Sequence, residues 1–61
     1  MSRKDFEAIA KIIKQERTLM IKEAGHSVPV VAVAVGLAAY FAEVNPRFDR
    51  EKFLNATTPD Q

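Results

Sequence analysis

The chain has 61 residues, with nine lysines and arginines against eight aspartates and glutamates, for a net charge of +1. A chain this short forms one domain at most, and buries only about 60% of the surface its unfolded form exposes. It has no cysteine and a single histidine. Disulfide bracing and a Cys/His metal centre are therefore excluded, and the near-balanced charge argues against a dedicated nucleic-acid binder, which carries a clear basic excess.

The first element is a helix from Arg3 to Ala24. Ser2 is a good N-cap, Asp5 three residues later makes a variant of the capping box, and Gly25 stands where a C-cap glycine belongs. Phe6, Ile9, Ile13, Met20 and Ala24 recur at helical spacing as one stripe, widened on one flank by Ile12 and Leu19. Glu16 projects within that stripe, with Asp5 and Glu23 near the same line. These carboxylates are expected to reach a groove edge or to pair with Arg47, Arg50 or Lys52; the alternative is a polar contact that sets the register between two copies. Lys4, Lys11, Lys14 and Lys22 share a face, with Arg3 and Arg17 at its edge. They are candidate phosphate contacts, although Glu7 sits among them as an i,i+4 partner of Arg3 and Lys11, as on an ordinary solvated helix face.

Gly25-His26-Ser27 is a tight connection. Ser27 can cap a second helix, and Pro29 falls in its first turn, where a missing N–H is harmless. That helix is expected to run from Val28 to Val44, antiparallel to the first, because short connections favour helical hairpins. Its sequence is unusual: from Ser27 to Ala42 there is no charged residue. The stretch Val30 to Val35 is rich in β-branched residues and partly alternating, which is strand-like. The run continues into helix-favouring residues from Leu37 to Ala42, however, and no second strand exists to pair with it.

A helix apolar on every side must be surrounded. Small residues recur four apart along two lines, Ala34, Ala38 and Ala42 on one, Ala32 and Gly36 on the other, and they allow helix backbones to approach closely. The 16 residues of the run would span only about 24 Å as a helix, short of the ~30 Å hydrocarbon core of a bilayer. Exposing five Val- or Leu-sized side chains would forfeit roughly 7–15 kcal/mol as an upper bound, against the ~3–5 kcal/mol a single core of this size supplies. The expectation is therefore an obligate homodimer, a four-helix-type bundle made from two hairpins. Its self-association residues are Val31, Ala34, Val35, Ala38, Phe41 and Ala42, and Gly36→Glu is expected to abolish the folded state.

Asn45-Pro46 ends the second helix, since the residue before proline is pushed out of the helical region. A short third helix is expected from Arg50 to Ala56, with Asp49 as N-cap and Phe48 and Phe53 placed to form a hydrophobic staple. Residues 57–61 read as a flexible tail, so the folded domain is expected to span 1–56.

The segment Asn45-Pro46-Arg47-Phe48-Asp49-Arg50-Glu51-Lys52-Phe53-Leu54-Asn55-Ala56 resembles the C-terminal signature of small helical proteins of bacteriophages and prophages. Those proteins read roughly NPRFDR, two variable residues, FL, one variable residue, A. Asp5-Phe6-Glu7-Ala8-Ile9-Ala10 is similar to their opening, and Tyr40-Phe41-Ala42 to their approach to Asn-Pro. Members often finish with Cys-Gly after that alanine, where this chain has Thr57-Thr58, and its middle is richer in valine. The resemblance implies a mobile-element origin and a small helical fold, and no activity.

No arrangement of residues suggests catalysis or a cofactor. His26 lacks partners at useful spacing, and adjacency to Ser27 in a turn makes no nucleophile–base pair. Arg47, Arg50 and Phe53 are the candidate partner surface, because arginine and aromatic side chains together build protein-binding hot spots. The opening Met-Ser-Arg-Lys is followed by charged, amphipathic residues and not by an apolar signal core, which points to the host bacterium's cytoplasm. The expected role is a non-enzymatic, self-associating accessory protein of phage type that binds another macromolecule, first of all a host protein. Two rivals remain open: a DNA- or RNA-binding regulator using the lysine face of the first helix, and a membrane-active protein inserting the second.

Overall fold

The computed structural model describes residues 2–59. It contains α1 (Arg3–Ala24), α2 (Val28–Val44) and α3 (Arg50–Ala56), and no strand among the described residues. The valine-rich stretch is thus helical throughout: β-branched preference is a weak prior, and helix-favouring neighbours with a packed face override it.

The helix ends follow from local chemistry. Asp5 Oδ2 accepts the Ser2 backbone N–H at 2.9 Å. The Ser2 backbone N–H, and less strongly its hydroxyl, hold the Asp5 carboxyl below its usual pKa. Gly25 adopts φ 80°, the left-handed conformation that glycine enters without penalty, and donates its N–H to the Ile21 carbonyl at 2.9 Å. At the start of α3, Asp49 Oδ1 accepts the Lys52 N–H at 3.0 Å. Phe48 and Phe53 meet with ring centroids 5.4 Å apart, completing the staple. Ser27 differs from expectation. Its side chain makes no cap bond; its hydroxyl accepts Arg17 Nε–H at 3.3 Å instead.

α1 and α2 are antiparallel. Phe6 near the start of α1 packs on Phe41 near the end of α2, at 4.9 Å between centroids, while Arg17 further along α1 reaches Ser27 before α2 begins. α3 packs against both helices, giving a body of 35 × 18 × 16 Å. The core is Ala10, Ile13, Ala34, Ala38, Phe41 and Phe53, with Phe6, Ile9, Val30, Leu37, Phe48 and Leu54 packed around it. Phe6, Phe41, Phe48 and Phe53 form a cluster at one end, with tilted or edge-on contacts between 4.8 and 5.6 Å. These are the arrangements that ring quadrupoles favour.

Two expectations need correction. Ala34, Ala38 and Phe41, assigned to the seam between copies, are 1%, 0% and 4% exposed within a single chain. The close approach that small residues permit is used here by the chain's own α1 and α3, and these residues have no surface left for a second copy. The tail beginning at residue 57 is also partly structured. Thr57 is 1% exposed, its hydroxyl donates to the Leu54 carbonyl at 2.7 Å, and its own carbonyl accepts Arg17 Nη1–H at 3.2 Å. Arg17 thereby ties the end of α3 to α1 and to the start of α2, its positive charge lying where helix carbonyls are unpaired. The expectation for Asp60 and Gln61 lies outside the described residues.

Candidate functional site

Two surfaces stand out, and both follow from how α3 docks. With α1 and α3 on its inner side, α2 leaves its outer side bare. At about 100° per residue, Val28, Ala32, Val35 and Ala39 form a line at four-, three- and four-residue steps, alternating large and small. All four are exposed. Gly36, Val33, Tyr40 and Val44 flank them. Val28, Tyr40, Val33, Val44 and Val35 are each between 51% and 69% exposed. Glu43 is the one charged residue of α2, and it lies on this side, near the helix end. A Cβ at Gly36 would meet nothing within 4 Å. The glycine therefore has no reason within the chain to occupy the middle of a helix, where it costs about 1 kcal/mol relative to alanine. On α1, Ile12 and Leu19 are also exposed, on the side away from Ala10 and Arg17, which meet α3.

Of the six residues expected at a self-association seam, Val35 alone is exposed; Val31 and Ala42 are half-buried, and the other three are internal. The line that faces outward is the second one, Ala32 and Gly36.

The other surface is a groove of about 360 Å³ between the first turns of α1, the α2–α3 turn and α3. Phe6, Ala10, Phe48, Phe53 and Ala56 contribute its apolar lining, and Arg3, Glu7, Asn45, Arg47, Asp49 and Lys52 its polar one. The acidic and amide groups are already engaged: Glu7 Oε1 lies 3.3 Å from Arg3 Nε, Asp49 caps α3, and Asn45 Oδ1 accepts the Arg47 N–H at 3.1 Å. The Arg47 and Lys52 side chains meet no carboxylate among the described residues. Of the candidate partner surface, Arg47 lines this groove, Arg50 is exposed outside it, and Phe53 is 5% exposed and belongs to the core. Phe6 and Phe48, both half-buried, offer reachable ring surface. The staple pattern points to Phe48, whereas the role of Phe6 depends on where α3 lies.

On the lysine face of α1, Lys4, Lys11 and Lys22 are exposed and Lys14 is half-buried. Lys11, Lys14 and Lys22 border a shallow depression with Gln15, Thr18 and Leu19. Glu7 pairs with Arg3 and not with Lys11. Glu16, Asp5 and Glu23 form no ion pair with Arg47, Arg50 or Lys52. One residue step turns the helix by about 100°, so Glu16 lies to one side of Arg17, which reaches the end of α3, and is exposed. His26 is exposed in its turn. Among the described residues no cluster of three or more His, Cys, Asp or Glu could hold a metal, and no helix is long and apolar enough to cross a membrane. Compared with known protein families, curated proteins and solved structures, the chain matches none.

Proposed function

We propose that the chain is a non-enzymatic, self-associating helical protein of phage type, and that it acts by binding a host protein. The observation that carries the self-association is the bare apolar outer face of α2. Contiguous exposed patches of this kind mark interaction surfaces, and a second copy of α2 is the partner this one fits. A two-fold axis at Gly36, the midpoint of Val28–Val44, would set Ala32 against Tyr40 and Val33 against Ala39, large on small. It would also bring Glu43 to the first turn of the opposing α2, where the helix dipole favours negative charge. A standard interface takes about 800 Å² from each partner, roughly a sixth of this chain's 4648 Å². The phage assignment draws its support from the resemblance of Asn45 to Ala56, and the binding role from the groove beside Arg47.

Sedimentation at micromolar concentration tests the self-association. The expected mass is twice the 6.8 kDa of one chain, falling on dilution. Gly36→Glu is expected to give a folded monomer and not, as the sequence alone suggests, an unfolded chain. A Cβ at this position meets nothing within 4 Å in the single copy, and the carboxylate places a charge at the pairing axis. A wild-type protein that stays at the single-chain mass overturns the self-association.

A further inference from the structure

We propose that the groove between α1 and α3 is a binding site for an acidic peptide segment of a partner protein, one that carries an aromatic residue between carboxylates. The proposal deepens the binding half of the reading above and is independent of the pairing through α2.

The chemistry of the lining decides the class of ligand. The floor is aromatic and small: the partly accessible rings of Phe6 and Phe48, 4.8 Å apart between centroids, with Phe53, Ala10 and Ala56 beneath and beside them. A ring entering there meets tilted aromatic edges and faces, which add to the gain from apolar burial. The rim is cationic. Arg3, Arg47 and Lys52 line it; Arg3 already holds Glu7, while Arg47 and Lys52 have no carboxylate partner among the described residues. The two carboxylates at the rim, Glu7 paired with Arg3 and Asp49 bonded to the backbone of α3, keep their charges, so the lining carries three cations against two anions and a net positive charge. Charge complementarity thus selects an anionic ligand, and Arg47 can hold a carboxylate through two parallel N–H donors. The groove volume of about 360 Å³ is at the small end of ligand sites. It suits one anchoring side chain with flanking groups better than a large cofactor. Aromatic and arginine side chains that fill well-packed pockets carry much of the energy of protein–protein interfaces.

The probe is the acetylated, amidated pentapeptide Glu-Asp-Phe-Glu-Asp, titrated into isotopically labelled protein and followed through backbone amide shifts. Saturable shifts at Phe6, Phe48 and Lys52 are expected. Weakening of about tenfold or more is expected for the Lys-Lys-Phe-Lys-Lys peptide and for the acidic peptide with Ala in place of Phe. Arg47→Glu combined with Lys52→Glu is expected to cost the acidic peptide about tenfold or more and to improve binding of the basic one. The second substitution places a carboxylate at the third position of α3, where it supports the cap, so thermal melting is expected to be unchanged. Gly36→Glu protein is expected to bind the acidic peptide as the wild type does, which keeps this outcome apart from that of the self-association test. Equal binding of acidic and basic peptides, shifts centred on the outer face of α2, or no shift at millimolar peptide overturns the proposal.

Discussion

The two sides of α2 are built from the same kinds of residue and have different fates. The inner side carries Val30, Ala34, Leu37, Ala38 and Phe41, all buried or half-buried; the outer side carries Val28, Ala32, Val35 and Ala39, all exposed. Each has a line of small residues at helical spacing. On the inner side that line lets α1 and α3 close on α2 until Ala38 is fully covered. On the outer side a Cβ at Gly36 would meet nothing within 4 Å among the described residues. Hydrophobicity and small-residue spacing therefore mark surfaces that favour cover, and they are blind to whether the cover comes from the same chain or from another.

The sharpest way to separate the two sides uses neighbours in sequence. Phe41 is 4% exposed and Tyr40 60%. Phe41→Ala is expected to cost about 3–5 kcal/mol, comparable to the whole stability of a core this size. It should abolish the helical circular-dichroism signal or the cooperative urea transition. Tyr40→Ala should leave the single-chain transition within about 0.5 kcal/mol of wild type and weaken the pairing measured by sedimentation. If both substitutions behaved alike in a monomer, the distinction between the faces would fail.

Arg17→Met tests the fastening on the inner side. The substitution keeps much of the aliphatic stem and removes the donors to Ser27 Oγ and the Thr57 carbonyl. The expected loss is about 1–3 kcal/mol, read as a lower urea midpoint, with loosening of the end of α3 seen as faster amide exchange at Thr57. An unchanged midpoint would show that Arg17 is merely adjacent to these groups. The smallest effect, and the most diagnostic in sign, is Gly36→Ala. In the single chain it should stabilise α2 by about 1 kcal/mol, because a helical glycine is replaced where there is room for a methyl group. Pairing that depends on close approach at Gly36 should weaken at the same time. A variant more stable at low concentration yet less associated at high concentration is the expected result; stronger association would place the contact elsewhere.

Much of the fold could be read from local chemistry. Gly25, Asp49, the Asn45-Pro46 break and the Phe48–Phe53 staple each act within a few residues, and the helix bounds follow from them. The docking of α3 could not be read in that way. It draws Ala10 into the core and gives Arg17 its contacts with the end of α3. It buries Phe53 in the core beneath the groove and makes Phe6 a wall of that groove. The stripe of α1 was visible in Phe6, Ile9, Ile13 and Met20. Its extension toward Ala10 and Arg17 was not, because alanine and arginine carry no strong signal of burial.

The sequence by itself determined three helices, where each begins and ends, and the demand of α2 for cover, since caps, breaks and apolar periodicity are properties of neighbouring residues. Which side of α2 is satisfied within the chain, and which cations are left beside half-buried aromatic rings, was decided only by the tertiary structure. The physical reason is that burial and charge pairing depend on distances between segments far apart in the chain, and the placement of one seven-residue helix sets those distances.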